Sequence, residues 1–171
     1  TLQYLYEFQT QVSLLTGMDI SNASMYDGST AAAEAVSMAK RITKRNQVIL
    51  SNTIHPHYAD VIKTISGIKD SEFVYNRDFS IDIDCLFNEV DENTACVVVQ
   101  NPDFFGSCYD LSSLAEFVQS KGALFIVVVT EVLSLGMMKS PGAMGADIVA
   151  CEGQSLGCLL YTSDAADDDR G

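Results

Sequence analysis

Apolar positions Leu5, Phe8, Val12 and Leu15 recur at helical spacing and predict an amphipathic helix over residues 2–16, stopped by Gly17. A second helical pattern covers residues 29–45, with Ala35, Met38, Ala39 and Ile42 on one face. Its first half is almost all alanine, which lets another backbone come close. The period then changes. Residues 47–51 form a short apolar run suited to a buried parallel strand. Pro56 fits the first turn of a helix over 57–66 that turns Val61, Ile62 and Ile65 inward and ends near Gly67. Residues 72–75, 95–100, 124–129 and 146–150 read as further strands. Leu111, Leu114, Ala115 and Val118 mark another helix, and 82–90 a short helical segment. Strands alternating with helices imply crossover units and a largely parallel sheet, an α/β fold. Ligands of such sheets gather beyond the carboxyl ends of the strands. The loops 52–57, 101–106, 130–136 and 152–157 are therefore the ones where chemistry is expected. No G-x-G-x-x-G follows a strand, so a dinucleotide site is not supported.

Composition narrows the class. A chain of 171 residues, 47% hydrophobic and 19% charged, can bury one sizeable core. The formal net charge is −13; Asp164, Asp167, Asp168 and Asp169 against Arg170 account for −3 of it and leave −10 before them. An excess of negative charge that large argues against general nucleic-acid binding. No apolar run reaches membrane-spanning length, so no membrane is expected as a partner. No signal peptide is visible, but the chain opens on Thr1 in mid-pattern, and its start is expected to be missing. The five cysteines show neither CxxC nor metal spacing; Cys96 and Cys151 read as small core residues, and a reducing compartment is inferred. Two histidines leave little room for a metal centre or a Ser-His-Asp triad.

The richest local signal is Met25-Tyr26-Asp27-Gly28-Ser29-Thr30-Ala31, a polar turn running into the second helix. Asp27, Ser29 and Thr30 are good N-cap residues, and Lys40, Arg41, Lys44 and Arg45 suit the far end of the dipole. Such a helix start offers free N–H groups to an anion such as phosphate; it also serves as an ordinary cap. Asn101, Asp103, Phe104 and Phe105 follow the 95–100 strand, where paired aromatics close a core or an interface more often than they contact a ligand. His57 reads as a solvated first-turn residue.

Several blocks together resemble the glycine cleavage system P-protein family. They are Leu14-Leu15-Thr16-Gly17-Met18-Asp19, Ala23 through Ala31, Val99 through Gly106, Ser134-Leu135-Gly136 and Gly153-Gln154-Ser155-Leu156-Gly157, in order from Thr1 to Gly157. More narrowly, they resemble the subunit 1 (alpha) branch of bacterial glycine dehydrogenase (decarboxylating), which is the N-terminal half of single-chain forms. The resemblance implies fold type I, the aspartate-aminotransferase-like fold of pyridoxal-phosphate enzymes, with residues 1–157 forming part of the large domain. It implies decarboxylation of glycine, with the aminomethyl group passed to the lipoyl arm of H-protein. Pyridoxal 5'-phosphate would act as electron sink, held on a lysine. A heterotetramer in the bacterial cytoplasm is the assembly implied.

On this alignment Gly28, Ser29 and Thr30 occupy the turn that holds cofactor phosphate in active fold type I chains, here either a vestigial pocket or one shared with the partner. His55 stands where a histidine stacks on the pyridine ring, or else simply packs at a strand-to-helix turn. Glu131 falls near the place of the acid facing the pyridine nitrogen, though a capping or solvated glutamate explains it as well. The anchoring lysine is missing: Gln154 and Ser155 stand where a His-Lys pair is expected, and Lys139 precedes the strand. Serine cannot form the Schiff base. The resemblance therefore implies a beta subunit that carries the lysine and binds the cofactor covalently, with this chain pairing against it and inactive alone. Two alternatives are an independent fold type I aminotransferase or desulfurase whose lysine lies further on, and a non-enzymatic α/β interaction module. After Gly157 the resemblance stops; residues 158–171 read as an unrelated acidic tail similar to translated sequencing-adapter sequence.

Overall fold

The computed structural model describes residues 2–75 and 83–157. Five strands form one parallel sheet in the order β2-β1-β3-β4-β5: β1 Gln47–Leu50, β2 Phe73–Val74, β3 Thr94–Gln100, β4 Leu124–Val129 and β5 Ile148–Cys151. Helices α1 Leu2–Thr16, α2 Gly28–Thr43, α3 Pro56–Ile65, α4 Leu86–Glu89 and α5 Ser112–Ser120 surround it. The elements expected from periodicity are all present. The weak 82–90 segment resolves into a 3-10 turn, Ile83–Cys85, followed by α4; residue 82 lies outside the described residues, as does the whole 158–171 tail.

Alternation along each strand divides the core into two layers. Val48, Leu50, Cys96, Val98, Ile126, Val128 and Ala150 face α2 and α3. Ile49, Val97, Val99, Phe125, Val127 and Val129 face the other way, onto Leu111, Leu114, Ala115 and Val118 of the α5 region. Every residue of β3 is buried, which is why this strand reads as a continuous apolar run. Cys96 is fully buried, as expected; Cys151 is only partly so.

Two helix faces differ from expectation. On α2 the buried stripe is Ala32, Ala33, Ala35, Val36 and Ala39, whereas Met38 is 39% and Ile42 61% exposed. On α3 it is Tyr58, Ala59 and Ile62, with Ile65 48% exposed. Small side chains let α2 lie close on the sheet, and the larger apolar ones are turned outward. Helix α1 buries only Thr16, and its expected apolar face remains half-covered. Its end is the left-handed Gly17 (φ 73°), packed against Gly142 so closely that no Cβ fits on the latter.

Because α2 precedes β1, its C-terminus lies at the amino end of the sheet and its N-terminus at the carboxyl end. Arg45, just past α2, donates from Nη1 to Thr94 O (3.0 Å) and Lys121 O (2.9 Å) and closes the amino end. The opposite end carries the four loops where ligands were expected. Among the described residues no helix is long and apolar enough to cross a membrane.

Candidate functional site

The ladders continue past the strands and fix the loop backbones. Ser51 N–H donates to Val98 O, Asn101 N–H to Val128 O and Glu152 N–H to Val129 O. Gln100, almost fully buried, accepts from His55 N–H (2.8 Å) and donates to Pro102 O (3.0 Å) and Thr130 Oγ1 (3.3 Å). One side chain thus ties together the loops after β1, β3 and β4.

Asp27 is the N-cap of α2 in extended backbone geometry. Its Oδ1 accepts from Thr30 N–H (2.7 Å) and the Ser29 hydroxyl (2.8 Å), and Asp27 N–H donates to Thr30 Oγ1 (3.2 Å), completing a capping box. These hydrogen bonds, the one from Thr30 N–H first, hold the Asp27 carboxyl below its ordinary pKa. Gly28 N–H, in the first turn, donates to Glu152 Oε1 (3.1 Å), and the Tyr58 hydroxyl donates to the same oxygen. Burial, and after it the Glu152 carboxylate, raise the Tyr58 phenol well above its usual range. A Cβ on Gly28 would lie 2.5 Å from Glu152 Cγ and closer still to Tyr58 Oη, so any larger residue here must displace the Glu152 and Tyr58 side chains.

His55 caps α3: its Nδ1 accepts from His57 N–H (3.1 Å), and its ring meets Phe104 edge-on with centroids 4.9 Å apart. The exposed Phe105 in turn meets Phe104 edge-on. His57 is exposed, as expected. Asn101 and Asp103 are buried and used by their own loop. Asn101 exchanges bonds with the Tyr109 backbone, and Asp103 accepts from Phe105 N–H, Ser107 N–H and the Tyr109 hydroxyl.

Glu131 is a cap: Oε1 accepts from Leu133 N–H (3.0 Å) and Oε2 from the Ser155 hydroxyl (2.8 Å). The serine at the position expected for lysine thus bonds the acid expected to face the pyridine nitrogen. Lys139 is exposed and near enough to Asp110 to help lower that carboxyl's pKa, behind the dominant Ser112 hydrogen bonds. Among the described residues no cluster of His, Cys, Asp or Glu could hold a metal.

The structure therefore brings Gly28, with Ser29 and Thr30 beside it, against the β5 loop through Glu152, and places His55 next to Tyr58 of the same contact. Pyridoxal phosphate does not fit this arrangement. The N–H groups that would cradle its phosphate are taken by Asp27 and Glu152, and no amine stands at Ser155. Tyr58, Gln100 and Glu152 were not picked out from the sequence. The available signal for Glu152 was an acid directly after the last strand, at the start of one of the carboxyl-end loops.

Comparison with known proteins agrees with the architecture. The family model described as glycine cleavage system P-protein matches residues 1–161. A protein from Rhodospirillum centenum, named as a probable glycine dehydrogenase (decarboxylating) subunit 1, is 55% identical over 157 residues, 92% of this chain and 35% of its own length. The chain thus spans about a third of the length of the curated relatives it matches. The crystal structure of a glycine decarboxylase (P-protein) of the glycine cleavage system in inhibitor-bound form superposes with a TM-score of 0.81 at 41% identity. That match covers 95% of this chain and 36% of the other. An aromatic-amino-acid aminotransferase from Burkholderia pseudomallei, covalently bound to pyridoxal phosphate, superposes with a TM-score of 0.61 at 12% identity over 88% of this chain and 44% of its own, a likeness of fold alone. The fold is that of type I pyridoxal-phosphate enzymes. With the family model matching nearly the whole chain, this protein belongs to the glycine cleavage system P-protein family.

Proposed function

We propose that this chain is part of subunit 1 of a two-subunit glycine decarboxylase and the non-covalent partner of a lysine-bearing subunit. Residues 1–157 would supply part of its large domain. Pyridoxal 5'-phosphate would be held by the other subunit, where glycine loses carbon dioxide and the aminomethyl group passes to the lipoyl arm of H-protein. The observation that carries this reading is Ser155. It lies on the loop after β5, its hydroxyl engaged by Glu131, in a cleft whose anion-binding N–H groups are already satisfied. A chain of this family with no amine at that place needs one from elsewhere.

The surface supports a partner. Tyr4, Tyr6 and Leu14 on α1, and Ile20 and Tyr26 after it, are between 73% and 96% exposed. Large apolar side chains gathered at that density on one region suit a covered face rather than open solvent. The chain spans about a third of the length of the relatives named as subunit 1, so the rest of its own subunit and a second subunit are the two candidates to cover this face.

The test is reconstitution with full-length subunits. Glycine-dependent release of carbon dioxide in the presence of H-protein should require both, and borohydride should fix pyridoxal label onto the partner only. Turnover by subunit 1 alone, or label fixed on it, overturns the reading.

A further inference from the structure

We propose that Glu152 is a resident anion at the start of α2, standing where a ligand phosphate would sit and closing this subunit's own cleft to phosphate-bearing ligands. Helix starts bind anions through free N–H groups and the positive end of the dipole. Here none of the donors that point into the cleft is free. Gly28 N–H and the Tyr58 hydroxyl both donate to Glu152 Oε1. Thr30 N–H and the Ser29 hydroxyl donate to Asp27, and the Thr30 hydroxyl to Asp27 O. The Glu152 backbone is fixed by its N–H to Val129 O, so the carboxylate reaches α2 from a backbone held by the sheet ladder directly after β5.

Space and charge both follow. The contact requires Gly28, since a Cβ would overlap Glu152 and Tyr58. A phosphate carrying roughly −1.5 to −2 charge would meet two carboxylates, Asp27 and Glu152, with no lysine or arginine among their described hydrogen-bond partners. The cleft has become an internal clasp between α2, α3 and β5. The clasp is a property of this chain's own geometry and holds whether or not the partner supplies the catalytic lysine.

The experiment uses the full-length subunit paired with its partner, the partner's cofactor site first filled and fixed by borohydride. Binding of pyridoxamine 5'-phosphate is then measured by equilibrium dialysis, with inorganic phosphate as competitor. The wild-type complex should take up no additional equivalent at millimolar probe. Glu152→Ala, which removes both the charge and the bulk, should take up one, competed by phosphate and at least about tenfold tighter than any binding to wild type. Glu152→Gln keeps the bulk and an acceptor for Gly28, and should fold normally and still exclude the probe. Should Glu152→Ala fail to fold, Glu152→Ser is read by the same criteria. Uptake of a phosphate-competed equivalent by wild type overturns the proposal, and so does a folded Glu152→Ala or Glu152→Ser complex that takes up none. Neither result touches the reconstitution test, whose readout is activity and the site of the borohydride label.

Discussion

Replacing Gly28 by alanine sets two effects of opposite sign against each other. Alanine is the better helix former by up to ~1 kcal/mol, so a helix start with nothing around it gains from the change. In this chain the added methyl meets Glu152 Cγ, Glu152 Oε1 and Tyr58 Oη together. The Glu152 carboxylate must turn away, which leaves the hydroxyl of the buried Tyr58 without its acceptor, at about 1–3 kcal/mol. The bond from Gly28 N–H to a half-buried carboxylate is lost as well, worth about 1 kcal/mol after water replaces part of it. The net expectation is a local destabilisation of about 1–3 kcal/mol. Hydrogen exchange in the full-length subunit reads it locally: amides of residues 31–36 should exchange about 5- to 150-fold faster. Adding Tyr58→Phe removes the stranded hydroxyl, so the double variant should lose less than the sum of the singles. Exchange that is unchanged, or slower as helix propensity alone dictates, would refute the clasp.

Other predictions follow from burial and from the same contacts. The Tyr58 pKa is raised by folding, so its contribution is intact below the unfolded value of about 10 and is lost as pH climbs beyond it, with a slope of up to ~1.4 kcal/mol per pH unit. In alkaline unfolding Tyr58→Phe should lack that part of the slope, and a profile identical to wild type counts against the assignment. Burial pushes the Cys96 thiol up to about 12, whereas Cys108 is exposed. Alkylation of the native full-length subunit, mapped by mass spectrometry, should therefore label Cys108 and spare Cys96 until unfolding; early labelling of Cys96 contradicts its place in the core.

The fold was legible because both of its periods are strong. Strands buried on two faces give unbroken runs such as Ala95 to Val99, and α5 shows its stripe at Leu111, Leu114, Ala115 and Val118 without ambiguity. Helix α2 was harder. Its buried stripe is alanine, which hydropathy weighs lightly, so Met38 and Ile42 drew the expected face toward solvent. Capping by Asp27 and Thr30 was readable, since a capping box is completed within three residues. The Gly28–Glu152 bond was not, because it joins positions 124 residues apart.

That separation also explains why one turn supports two opposite expectations. By itself, the turn over residues 25–31 suits either an ordinary cap or an anion; Asp27 supplies the cap, and nothing within the turn says what Gly28 N–H meets. The answer depends on β5, whose last ladder bond sets Glu152 opposite α2. It depends also on α3, whose Pro56-led first turn carries Tyr58 to the same oxygen. Ser155, at the position expected for the lysine, carries a neutral hydroxyl bonded to Glu131. Replacing Ser155 by lysine alone would thus put an ammonium beside Glu131 and leave the start of α2 as it is. An ion pair is the expected result, with no borohydride-fixable pyridoxal label on this subunit. An anchor for the ring without a seat for the phosphate is half a site, and in this chain the seat is taken by a carboxylate.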